Sequence, residues 1–126
     1  MAPTQPHLAR LRVERQHRLI EELRRQRGRH ATAEDLADAL GVDVRTVERD
    51  IARLRDAGVP IAARRGPGGG FHLDVPAAVA PVPLSPGEIA ALIVSVAAVG
   101  PYVSATARSA LTRLLDALQP PETPQR

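Results

Sequence analysis

Three groups of residues in this 126-residue chain have types and spacings that could do chemistry. Arg45, Thr46, Arg49 and Arg53 run along "VRTVERDIARLRD", and an arginine fork can grip phosphate or the edge of guanine through two parallel bonds. "RRGPGGGFHL", Arg64 to Leu73, sets four glycines and a proline between two arginines and an apolar tail. Such a loop either cradles a phosphate or lets a hairpin turn tightly. The third group is the histidines, His7, His17, His30 and His72, the only residues of the set suited to acid–base work or metal ligation.

The histidines lead nowhere catalytic. None stands at a metal-ligand spacing with a matching carboxylate, no Ser–His–acid set suggests itself, and the absence of Cys excludes thiolate sites and disulfides. The expectation is a protein that is not an enzyme, with no metal and no cofactor. The glycine loop fails as a nucleotide cradle on its context. A phosphate-binding loop follows a strand, opens a helix and brings a Lys with Ser or Thr. Here the extended stretch "FHLDV" follows the glycines, and the chain holds no Lys at all. The loop is therefore expected to be a hairpin tip, with Arg64 and Arg65 at its base and Gly68 and Gly69 able to approach a nucleic-acid backbone or minor groove.

Charge supports a polyanionic partner. The net charge is +3, but it is segregated: residues 1–30 carry eight Arg against three Glu, residues 31–44 four acids and no Arg, and residues 45–75 six Arg against four acids. A compositional bias toward Ala, Arg, Gly and Pro accounts for the missing Lys, not for this segregation.

The elements that must position these residues can be read from periodicity. Residues 1–7 read as a disordered tail. A first helix is expected from about Leu8 to Arg27, with Leu19, Ile20 and Leu23 apolar, Val13 and Gln16 a turn or two before them, and Gly28 as its stop. "TAEDLADALG" predicts a two-turn helix with Thr32 as cap, Asp35 at the capping-box position and Gly41 at a positive φ. Asp43 then caps a third helix ending at Gly58. Its Val44, Val47, Ile51 and Leu54 recur at steps of 3, 4 and 3, a single inward seam. At 100° per residue Arg45, Arg49 and Asp56 lie opposite that seam, with Thr46 and Arg53 flanking. An arginine on an exposed helix face is by itself a solvated side chain. Local pairs are also available, Arg45 with Glu48 and Arg53 with Asp50 or Asp56.

"VPIAARR" and "GFHLDV" predict the two strands of a hairpin. Phe71 and Leu73 share the face turned to helix 1 or 3, and His72 faces solvent or DNA. Helix, short helix, tight turn, third helix and hairpin is the order of a winged helix-turn-helix, mainly α, here spanning residues 8–75. Its third helix enters the major groove, where Arg45, Thr46 and Arg49 would read bases; Arg53, Arg64 and Arg65 would hold backbone or minor groove. Residues 76–84 are a proline-rich linker.

Residues 85–119 form a helical hairpin, from Ser85 to about Val99 and from about Tyr102 to Gln119, broken at Gly100–Pro101. Residues 120–126 are a frayed tail. The first helix of the pair is apolar nearly all round, and the second carries Leu111, Leu114, Leu115 and Leu118. Such surfaces need cover on more than one side. Dimerisation through Ile89, Leu92, Ile93, Val96, Leu111 and Leu115 is favoured over a monomer in which the first of the pair packs on the winged domain. The longest apolar run, Ile89 to Gly100, falls short of the ~20 residues that span a bilayer. No membrane association and a cytoplasmic location are expected.

"ATAEDLADALGVDVRTVERDIARLRDAGVPIAARRGPGGGFHLD" closely resembles the N-terminal winged helix of the DeoR-like, WYL-domain family of bacterial transcriptional regulators. The combination of "RTVERDI", "LRDAGVPI" and "RGPGGGF" carries the likeness from about Leu11 to Leu73. "LSPGEIAALIVSVAAVG" and "ARSALTRLLDALQP" look more loosely like the helical linker that follows it. Asp43 stands where the family usually has Ser, and Phe71 where Tyr is usual. The chain ends where the family's WYL domain is expected to begin. The resemblance implies a sequence-specific transcriptional regulator that binds double-stranded DNA, and the apolar C-terminal helices add the expectation of a homodimer. The alternative is an interaction module, or a dominant-negative partner of a longer WYL-type regulator, acting through the C-terminal helices.

Overall fold

The computed structural model describes residues 5–26, 29–99 and 104–122. Five helices and one two-stranded hairpin follow in the order α1 (Gln5–Arg25), α2 (Ala33–Leu40), α3 (Val44–Asp56), β1 (Ile61–Arg64), β2 (Gly70–Leu73), α4 (Pro86–Val99) and α5 (Ala105–Ala117). This is a winged helix-turn-helix followed by a pair of C-terminal helices. The chain divides into two compact units, one of residues 12–79, the other of 80–126 with the first residues of α1 up to Leu11.

α1 begins at Gln5, inside the stretch expected to be a disordered tail. The reason is Pro6: in a first turn its missing N–H is one that no helix satisfies, so it does not bar a start there. Residues 1–4, the expected stop at Gly28, the Gly100–Pro101 break and the end of the frayed tail lie outside the described residues.

In the winged unit, local chemistry fixes each boundary. Thr32 Oγ1 accepts from the Asp35 amide at 3.0 Å while the Asp35 carboxylate accepts from the Thr32 amide at 3.3 Å, a complete capping box. Gly41 ends α2 at φ 69°, the left-handed setting its position requires. Asp43 caps α3 through the Thr46 amide at 2.7 Å. At the other end Gly58 N–H donates to Arg55 O and Val59 N–H to Leu54 O, which closes the last carbonyls.

The core gathers Leu19 and Leu23 of α1, Ala31 of the following loop, Leu36, Ala37 and Leu40 of α2, Val47 and Ile51 of α3, and Ile61 of β1. Val44 and Leu54, the outer members of the α3 seam, are partly buried against it, as are Phe71 and Leu73. The strands are antiparallel with Ile61 opposite Leu73 and Arg64 opposite Gly70. Ala31 adds a one-residue third strand: its N–H donates to Phe71 O at 2.8 Å and Phe71 N–H returns to Ala31 O at 2.7 Å.

That approach explains the glycines better than a flexible tip does. A Cβ on Gly70, whose φ is 135°, would stand 2.4 Å from Ala31 O. One on Gly69 would stand 2.3 Å from Arg64 O. Both positions need a bare backbone because another backbone lies against them.

In the second unit Ser85 and Glu88 cap α4 reciprocally, amide to carboxylate at 2.9 Å and amide to hydroxyl at 3.1 Å. Ser104 caps α5 through the Ala107 amide. α4 and α5 pack on each other. Ile89 is buried; Ile93, Val96, Leu111 and Leu114 are half-buried; Leu92, Val94, Leu115 and Leu118 are exposed. α5 ends at Ala117, two residues short of the expected Gln119, with Leu118 as its C-cap. Among the described residues no helix is long and apolar enough to cross a membrane.

Candidate nucleic-acid interface

The inward seam of α3 sets the outward face. With Val47 and Ile51 buried, Arg45 and Arg49 are exposed and Thr46 is half-exposed beside them. Among the described residues neither Arg45 nor Arg49 makes an ion pair, so the pairing of Arg45 with Glu48 that spacing allows is not formed. The nearest opposite charge is the α3 cap. The Asp43 carboxyl is held below its ordinary range, first by the bond from the Thr46 amide and in smaller part by the positive charges of Arg49 and Arg45. Those arginines therefore sit over a fixed negative charge at the first turn, which trims the potential of this face without covering it.

Arg53 is different. It is 48% exposed, and its Nη1 lies 3.6 Å from Asp50 Oδ1. Of the two partners its spacing allows, the structure selects Asp50. Arg64 and Arg65 are exposed at the base of the wing turn, and Gly68 is exposed at its tip. Gly69 is buried, folded back on the Arg64 carbonyl. Its part in the wing is turn closure. A shallow cleft lined by Arg64, the 66–70 turn, Glu34 of α2 and Glu48 of α3 joins wing and helices on one surface. Arg64, Gly68, α2 and α3 thus share a single face of the unit.

Two features escaped the sequence reading. Asp50 is 0% exposed although it is charged and lies on the candidate recognition helix. Arg15 of α1 grips it from both sides, Nε to Oδ2 at 2.5 Å and Nη2 to Oδ1 at 3.0 Å, and Gln16 Nε2 donates to Oδ1 at 3.3 Å. The bond to Asp50 holds the Arg15 guanidinium more firmly protonated than usual, against the opposing effect of burial. A signal existed: Asp50 is three residues past Val47 and four before Leu54, on the apolar side of the wheel. The other feature is His72. It turns neither to solvent nor to DNA but meets His30, Nδ1 to Nε2 at 3.0 Å, with the rings edge to face at 4.5 Å. His30 and His72 stand opposite each other across the register set by Ala31 and Phe71. Among the described residues no group of three or more His, Cys, Asp or Glu could hold a metal ion.

The buried seam, the capped turn and the wing on one arginine-bearing face are decisive together with one comparison. Residues 15–71 match the family model of an HTH domain. Over this segment, just under half of the chain, the protein is similar to a helix-turn-helix domain. No solved structure matches the chain. The HTH domain begins at Arg15, the residue that grips Asp50, and ends at Phe71, the residue that Ala31 bridges.

Proposed function

We propose that the chain is a sequence-specific transcriptional regulator of the DeoR-like, WYL-domain type, in which α3 enters the major groove and the wing follows the backbone or minor groove. The observation that carries this reading is the exposure of Arg45 and Arg49, without ion-pair partners among the described residues, on the face opposite the buried Val47–Ile51 seam. In this reading Arg45, Thr46 and Arg49 meet base edges, and Arg53, Arg64, Arg65 and Gly68 hold phosphates. The motifs "RTVERDI" and "RGPGGGF" support the family assignment.

The protein acts as a homodimer through α4 and α5. Exposed Leu92 and Leu115, with half-buried Ile93, Val96 and Leu111, supply the apolar surface, and Ile89 lies at its buried root. Two winged domains on two half-sites would supply the affinity that one small module lacks. The same exposed leucines favour a second reading, pairing with a longer relative. A pull-down that retains a protein partner after nuclease treatment while no DNA is shifted would support it.

The test is selection from a random duplex library followed by a salt titration. If Arg53, Arg64 and Arg65 of two protomers each neutralise one phosphate, the slope of log K against log salt is about −5. An enriched two-fold motif with a slope of that order supports the reading; no motif and salt-insensitive binding overturn it.

A further inference from the structure

The reading above leaves Asp50 without a task. A carboxylate on the recognition helix that is fully withdrawn from solvent cannot touch DNA, and it cannot be there for solubility. Nor is it a cap, since α3 is capped by Asp43. Its bonds run to α1: two from Arg15, one from Gln16, with Arg53 of its own helix 3.6 Å away on the outer side.

The remaining contacts of α3 with the domain are apolar, through Val47 and Ile51 with Val44 and Leu54 at the margins. Apolar burial is non-directional, so it holds a helix in its groove without by itself fixing the roll of that helix about its own axis. A bidentate arginine–carboxylate pair is directional. The difference matters for base reading. Side-chain heads stand about 5–6 Å from a helix axis, so a roll of about 20° carries the head of Arg45 or Arg49 by about 2 Å. Base pairs are stacked about 3.4 Å apart. A roll of that size is enough to blur which base pair each arginine meets.

We propose that Asp50 is a specificity-determining positioning residue: the Arg15–Asp50–Gln16 cluster fixes the roll of α3 about its own axis and so selects the base pairs that Arg45 and Arg49 read. This rests on the DNA-binding reading and deepens it. The cluster acts through α3, not on DNA. A buried ion pair of this kind need not add stability, because well-packed apolar residues of similar volume often hold a fold as well or better. Specificity is the property it would supply.

The experiment compares the wild-type chain, Arg15→Lys and the double variant Arg15→Met with Asp50→Leu in duplex library selection, in binding to the selected site and to random duplex, and in thermal unfolding. Arg15→Lys keeps the charge and gives up the two-pronged grip. The double variant replaces the pair with apolar volume and avoids stranding a buried charge, as Asp50→Ala would. Both variants are expected to unfold cooperatively near the wild-type midpoint and to bind random duplex within about twofold of wild type with the same salt slope, since the phosphate contacts persist. The preference for the selected site falls about tenfold in the double variant, within the range that one bidentate base contact supplies, and less in Arg15→Lys. The selected motif broadens at the positions read by Arg45 and Arg49. A folded variant that keeps the wild-type motif and preference overturns the proposal, and should the double variant fail to fold, Arg15→Lys decides alone. A wild-type chain that selects no motif overturns the DNA reading itself, and this proposal with it.

Discussion

The winged unit draws residues from three helices, a loop and a strand around one core, with Leu19, Leu23, Leu36 and Val47 nearly inaccessible. The C-terminal unit contains the most apolar helix of the chain, α4, yet Ile89 is its one buried residue among those described, and Leu92, Val94, Leu115 and Leu118 remain exposed. Both units have well-formed caps, so local chemistry does not distinguish them. What differs is the number of directions from which each helix is covered. A helix apolar nearly all round cannot bury itself against a single neighbour. On the dimer reading proposed above, the winged unit holds a surface still and the other is completed by a further surface.

The sharpest way to test that contrast is a matched pair of truncations. Leu36→Ala should lower stability by about 2–5 kcal/mol at any protein concentration, as core deletions do, read by denaturant unfolding. Leu92→Ala should leave the unfolding of dilute protein almost unchanged and instead weaken self-association, seen by sedimentation as a shift toward the 13.5 kDa species. If Leu92→Ala proved as costly as Leu36→Ala in dilute protein, the two units would not differ in the way described.

Next in size is the wing. Gly70→Ala places a Cβ against the Ala31 carbonyl at a φ of 135°, a strain on the order of 1–3 kcal/mol. The Ala31–Phe71 bridge should open, with faster amide exchange at those two residues, while the α2 and α3 amides stay protected. Smaller and confined to function are the surface arginines. Arg49→Ala should cost about 1–3 kcal/mol of discrimination against the wrong base pair and nothing in stability. Arg65→Ala should weaken all sequences alike and reduce the salt slope by about one per site.

The smallest effect is shared by both units. The Asp43 carboxyl, lowered chiefly by the Thr46 amide, and the Glu88 carboxyl, lowered chiefly by the Ser85 amide, each favour the charged form in the folded chain. A carboxyl depressed on folding contributes stability above its unfolded pKa and loses it as pH falls through the folded one. The first turns of α3 and α4 should therefore loosen together below the ordinary carboxylate range and be unaffected between pH 6 and 8. Amide exchange at Thr46 and Ser85 across an acid titration would show this, and loosening near neutrality would refute it.

What could be read from the sequence was whatever depends on near neighbours. Thr32 with Asp35, Asp43 with Thr46 and Ser85 with Glu88 lie three residues apart, and the α3 seam repeats within two turns. The exposed side of α3 followed from the seam. The features that escaped are joined across the chain: Arg15 to Asp50 over 35 residues, His30 to His72 over 42, Ala31 to Phe71 over 40. Periodicity says which face a residue occupies, not which partner arrives there, so His72 was placed on the outward face with its partner unseen. Asp50 escaped in the same way. Its position on the apolar side of the wheel was plain, but the sequence offered it only a local partner, Arg53, and not the arginine that arrives from α1. Gly69 shows the same limit, since a bare backbone serves exposure and close packing equally well until the neighbour is known.

The one-residue strand at Ala31 has a consequence for how far the hairpin extends. With β2 sewn to the loop after α1 at Phe71, one residue from its turn end, and Gly69 and Gly70 each pressed against backbone, what projects past the stitch is a short stub of fixed length. It behaves as an outrigger whose span is set by residue count rather than by bending. Lengthening each strand by one residue on the turn side of Phe71 would move the tip outward by about 3.3 Å while the bridge to Ala31 stayed in place, so a change in arm length there could shift where the arginines land without any change to the helices.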